Sequence, residues 1–155
     1  MNQLYSSVMN TSFYTPWRST TSALNASALL LRLIFGGLMI PHGYAKLTHF
    51  GEYQSDFLSL FGLGTAVSLS LAIFAELGCS ILLVLGLLTR LALIPLIITA
   101  LVIVFMAHGG EILGDGEHGF LYLAVYVSLL ITGPGQYSVD QRLFGRSASA
   151  DRRFV

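Results

Sequence analysis

Charge is what this 155-residue chain has least of: Asp, Glu, Lys and Arg together make up 10%, against about 25% in soluble domains. Its eight basic and eight acidic residues cancel, so no field of one sign points to nucleic acid or a polyanionic substrate. A single cysteine, Cys79, excludes an internal disulfide framework, a CxxC redox pair and a four-thiolate metal or iron–sulfur centre. The chain also lacks a nucleotide-binding glycine fingerprint, a repeat and a low-complexity segment. What it has in excess is apolar side chains, 54% of all residues. Abundant apolar surface with so little charge places the chain in a bilayer.

Four apolar runs stand out. Residues 67–88 carry one charge, Glu76, and residues 91–107 carry none; both meet the length of about 17–25 residues that a spanning helix needs. The runs at 26–40 and 119–132 are shorter and span if their polar ends lie at the interface. The first holds Ser27 and Arg32 and extends through Gly43 towards Lys46. Thr89 and Arg90 leave almost no loop between the second and third runs, which predicts a tight antiparallel pair. Gly109-Gly110 ends the third run and Gly133-Pro134-Gly135 stops the fourth, since proline cannot continue a helix. Pro41 and Pro95 are expected to bend the first and third spans, which neighbouring helices tolerate in a membrane. The expected fold is therefore all-α: an integral membrane, antiparallel four-helix bundle over residues 26–144.

Residues 1–25 form a polar segment without the basic start and apolar core of a signal peptide. Phe13, Tyr14 and Trp17 within it read as interfacial anchors. Residues 145–155 form a basic tail. In the first long loop Tyr53, Phe57, Leu58 and Phe61 fall at i, i+4, i+5 and i+8. That spacing suggests a short helix, lying on the membrane surface or on the soluble face of the loop. Arg18, Arg32, Arg90, Arg142, Arg146, Arg152 and Arg153 fall on one side of the bundle and only Lys46 on the other. The positive-inside bias then predicts cytoplasmic termini in a bacterial-type inner membrane, with the loops at 42–65 and 108–118 facing outward.

An ionisable group inside a span costs about 2.5–3.5 kcal/mol on insertion scales, so it faces a partner or a cavity. Glu76 is the strongest case, because it lies near the middle of its run. Ala72, Glu76, Cys79 and Ser80 share one helical face, a small and polar stripe suited to a bundle interior. Glu76 is expected to be protonated or paired, either as a proton acceptor or ligand contact or as a glutamate tied to a neighbouring cation. Arg32, towards the cytoplasmic end of the first span, can reach water by extending its stem. His42 and Lys46, His108, and Glu117 with His118 come from three spans and converge at the outer end. Tyr122 and Tyr126 continue the His118 face at four-residue spacing. Ligand sites in bundles are built from facing helices in this way. For any one of these residues taken alone, interfacial anchoring is the favoured reading. A haem clamped between His42 and His108, or a metal held by His108, Glu117 and His118, is compatible with the pattern, but no spacing demands either. Cys79 reads as a small core residue.

At these residues the chain resembles the DoxX family of small four-span membrane proteins. The matching pieces are Arg32-Leu33-Ile34-Phe35-Gly36-Gly37 leading to His42-Gly43-Tyr44-Ala45-Lys46-Leu47, then Ala75-Glu76-Leu77-Gly78 and Leu85-Gly86-Leu87-Leu88-Thr89-Arg90. His108, Glu117 ahead of Tyr122, and the close Gly133-Pro134-Gly135-Gln136-Tyr137-Ser138-Val139-Asp140 complete them, over about residues 26–144. The resemblance implies a membrane subunit associated with quinone- or thiol/sulfur-linked oxidoreduction. Glu76, His42, Lys46, His108 and Glu117 would then do the proton chemistry, and Arg32, His118, Tyr122 and Tyr126 would contact the bound carrier. With no nucleotide or covalent cofactor expected, the simplest carrier is a quinone dissolved in the bilayer. The alternative is a non-catalytic membrane scaffold, or a binder of a small lipid-like ligand, that anchors a redox partner.

Overall fold

The structure is a computed structural model and describes residues 21–107, 109–110, 112, 114 and 116–144. His108 lies outside these described residues, as do Phe13, Tyr14, Trp17 and the tail at 145–155. The described residues are all-helical. Three helices are long and apolar enough to cross a membrane: α1 (Thr21–Thr48), α3 (Thr65–Leu85) and α4 (Thr89–Ala107). Between the first two lies the short α2 (Phe50–Asp56). The fourth long helix, α5 (Glu117–Thr132), has 16 residues and at 1.5 Å each is roughly 24 Å long, shorter than a bilayer core of about 30 Å. A short helix, α6 (Val139–Phe144), follows it. The four helices that the sequence predicts are present, three of them long enough to span; α1 includes residues 21–25 ahead of its apolar run and runs unbroken through Pro41.

Large apolar side chains cover the outside of the bundle: Leu30, Leu38, Ile94 and Ile131 are all exposed. A soluble monomer rarely shows a continuous apolar surface of this kind, whereas lipid makes it the stable arrangement. Inside, Leu83 of α3, Leu93 and Leu96 of α4, and Tyr126 and Leu129 of α5 are fully buried together with Met39 and Ala28 of α1. This packed core occupies the half of the bundle from Cys79 towards the α3–α4 turn.

That turn is fastened from a distance. Gly86 ends α3 at φ +69°, a conformation open to glycine at no steric cost, and Leu88 follows at φ +48°. The Asp140 carboxylate accepts hydrogen bonds from the backbone N–H of Leu88 (2.7 Å) and Thr89 (2.9 Å), capping α4 from 51 residues away in sequence. Arg32 is 1% exposed, so it does not reach water as its place in the sequence suggests. Its guanidinium instead donates to the carbonyls of Pro134 and Tyr137 in the segment after α5. One buried cation thus ties α1 to the end of the chain's last span, and that segment in turn caps the α3–α4 hairpin.

The first long loop departs from its expected helix. Helix α2 starts at Phe50 and stops at Asp56, and Phe57 is extended (φ −74°, ψ 142°). The chain has to turn back into α3, and Ser68 organises the return: its hydroxyl donates to the Gly64 carbonyl and accepts from the Leu60 N–H. Spacing of apolar residues carries no information about that side-chain to backbone competition.

Candidate functional site

At the other half of the bundle the helices do not close. A cavity of about 720 Å³ lies between α3 and α4, floored by the segment after α2. Its walls are mainly apolar, with Leu71, Phe74, Pro95, Ile98 and Met106 among them. Leu71, Phe74, Ile98 and Met106 are also exposed on the outside of the bundle, so the cavity opens sideways into the lipid face. Among the described residues its ionisable groups are Lys46, Asp56 and Glu76, and its hydroxyls are Ser68 and Thr99.

Glu76 is 1% exposed and Lys46 Nζ of α1 donates to its Oε1 in a salt bridge. The second oxygen, Oε2, is buried and has no hydrogen-bond partner among the described residues. The contact depends on Gly43. A Cβ there would lie 2.6 Å from Leu77 N and 2.9 Å from the Glu76 carbonyl carbon, so glycine lets the α1 and α3 backbones touch just below Lys46. Glu76 itself lies in a π-helical turn, Phe74–Cys79, and a second, Ile103–Ala107, forms part of the opposite wall. Such turns insert an extra residue into an α-helix and re-aim its side chains.

The Ala72, Glu76, Cys79 and Ser80 stripe is buried as its pattern implies, but the outer cluster read from the sequence is only partly assembled. Lys46 and Glu76 meet. His42, one turn before Lys46 on α1, is exposed and not in the cavity wall. Glu117 and His118, at the start of α5, are both exposed and outside the cavity wall. The haem and metal arrangements need His108, which lies outside the described residues. Tyr122 and Tyr126 belong to the packed half: Tyr122 stands edge-on to Phe35, with ring centres 5.4 Å apart. The Tyr126 hydroxyl donates to the Phe35 carbonyl at 3.3 Å. Arg32 is 14 residues from Lys46 along α1, roughly 21 Å at 1.5 Å per residue, and its guanidinium is engaged with loop carbonyls.

Asp56, Ser68 and Thr99 are polar residues of the cavity wall that sequence reading missed. Spacing along the chain does not show that the end of α2, the start of α3 and the middle of α4 share one space.

No solved structure matches the chain. A protein of Mycobacterium tuberculosis described as an uncharacterized membrane protein is 27% identical over 142 residues, covering 82% of this chain and 87% of that protein. The family model described as DoxX matches residues 27–109, more than half of the chain. The matched stretch contains Lys46, Gly43, Glu76 and both walls of the cavity, and the chain belongs to the DoxX family of membrane proteins.

Proposed function

We propose that this membrane protein is a subunit of a quinone-linked oxidoreduction in which the cavity receives a lipid quinone from the bilayer. The carrying observation is a lipid-open apolar cavity whose inner wall holds one ion pair with an unpartnered carboxylate oxygen. An apolar pocket with a few convergent polar groups is the usual form of a small-molecule site. Charge narrows the ligand further. Among the described residues Lys46 is opposed by Glu76 and Asp56, a formal balance of one positive against two negative charges. A carboxylate or phosphate head group would meet net repulsion there, whereas a neutral carbonyl or hydroxyl would not.

In this reading Lys46 donates to a quinone carbonyl, and Glu76 Oε2 holds or takes the proton of the corresponding quinol hydroxyl. Leu71, Phe74, Ile98 and Met106 contact the tail. Quinone supplies the two-electron chemistry when bound: with a thiol reductant, two thiols become one disulfide as quinone becomes quinol, so two electrons and two protons pass over. A partner subunit presents that sulfur reductant. The termini face the cytoplasm of a bacterial-type inner membrane, in line with the basic residues gathered at their end.

The test is purification in detergent followed by solvent extraction and a visible and ultraviolet spectrum. Wild-type protein is expected to carry extractable quinone or to take up an added short-tailed quinone at micromolar concentration. Failure to bind either would contradict the proposal. Binding without any thiol-dependent reduction in a membrane holding the partner would favour the scaffold alternative.

A further inference from the structure

The ion pair has a second neighbour space, on the water side. An open groove of about 600 Å³ lies over α2, walled by Ala45, His49, Glu52, Tyr53, Asp56 and Phe57. Asp56 and Phe57 line this groove and the apolar cavity alike. They are the partition between a polar, titratable surface and a space that is otherwise open to lipid. Of the ionisable side chains in either wall, Asp56 is the one common to both. The partition is thin in the backbone as well, because α2 ends at Asp56 and Phe57 is extended.

We propose that the cavity has two entrances of different chemistry: a lateral one for an apolar ligand, and an aqueous one at Asp56 and Phe57 through which small polar species and protons reach Lys46 and Glu76. The Glu76 side chain is 2% exposed and that of Lys46 20%, so the carboxylate has no direct water contact and its partner has some. A buried carboxylate that exchanges a proton needs a path to water. Among the described residues Lys46 from α1 is paired with it and Asp56, at the end of α2, lines the same cavity; Tyr126 from α5 has its hydroxyl committed to the Phe35 carbonyl. The Asp56 carboxylate takes a proton from water in the groove and returns it towards Glu76, while the Phe57 ring limits passage of anything larger. Proton delivery to a bound quinone rests on the function proposed above, whereas the aqueous entrance itself does not.

The experiment therefore needs no quinone. Thr99, near the middle of α4 and in the cavity wall, is replaced by the similar-sized cysteine (Thr99→Cys) in a Cys79→Ala background, and the full chain is placed in lipid nanodiscs. Charged, lipid-insoluble methanethiosulfonates are compared with lipid-soluble N-ethylmaleimide. The cationic reagent is expected to modify position 99 faster than the anionic one, because Asp56 and Glu76 outweigh Lys46. Phe57→Ala should raise both charged-reagent rates about tenfold, and Asp56→Asn should bring the cation-to-anion ratio close to one without changing the maleimide rate. Modification by maleimide alone, or charged-reagent rates indifferent to both substitutions, would overturn the aqueous entrance whatever the fate of the quinone reading.

Discussion

The pairing of Lys46 with Glu76 makes the two partners unequal under substitution. Lys46→Met strands a buried carboxylate, and breaking a buried pair from one side costs about 3–5 kcal/mol; the partial exposure of Lys46 puts the expected loss at the lower end of that range. Glu76→Gln keeps an oxygen that can accept from Nζ, so its fold stability in detergent should stay within about 1 kcal/mol of wild type. The double variant should recover most of the Lys46→Met loss, a coupling that thermal unfolding of the four proteins measures directly. Gly43→Ala should act on the same pair from the backbone. Its methyl would meet Leu77 N and the Glu76 carbonyl carbon, pushing α1 off α3 at a cost of roughly 1–3 kcal/mol, with loss of any ligand that needs the ion pair. Neither effect is visible in residue spacing. Lys46 and Glu76 are 30 positions apart, and only the close approach at Gly43 brings the long lysine stem to the carboxylate.

At the scale of elements, the packed half and the open half of the bundle should separate experimentally. Arg32 and Asp140 hold the turn between α3 and α4 and the segment after α5, far from the cavity. Asp140→Ala removes an acceptor from two N–H groups at the start of α4 and should cost about 0.5–2 kcal/mol, the range for a lost helix cap. Thermal unfolding in detergent measures this. Quinone binding, measured alongside, should be unchanged, whereas a site that included Arg32 and its surroundings would lose affinity with it. The helices themselves were readable from run length and from Gly133-Pro134-Gly135, because lipid imposes a minimum apolar length on any span. One end was less so: α2 stops at Asp56 where an amphipathic pattern continues. That boundary is decided by hydrogen bonds and packing rather than by periodicity. His42, Glu117 and His118 are exposed and outside the cavity wall that Lys46 lines. Being at one end of a bundle places residues within a layer, while the rotation of each helix decides whether they face one another.

For the molecule as a whole, the distribution of Lys and Arg predicts that both termini share one side of the membrane and the two long loops the other. Single cysteines at Asp115→Cys and Ala150→Cys in a Cys79→Ala background, probed with an impermeant maleimide in sealed vesicles of one orientation, should label from opposite sides. Labelling from the same side would contradict the topology. In the proposed arrangement a ligand would enter from the bilayer and a proton from the loop side, while the packed half with its Arg32 and Asp140 ties would carry the basic end. The central claim is that a quinone head group sits against the Lys46–Glu76 pair. Photo-crosslinking with an azido-quinone in nanodiscs, followed by mass spectrometry of the adducts, tests it most directly. The account predicts labelling within residues 68–76 of α3 and 95–107 of α4, competed by excess quinone and lost in Glu76→Gln. Adducts confined to the Tyr122 and Arg32 half, or labelling that excess quinone does not compete, would contradict it.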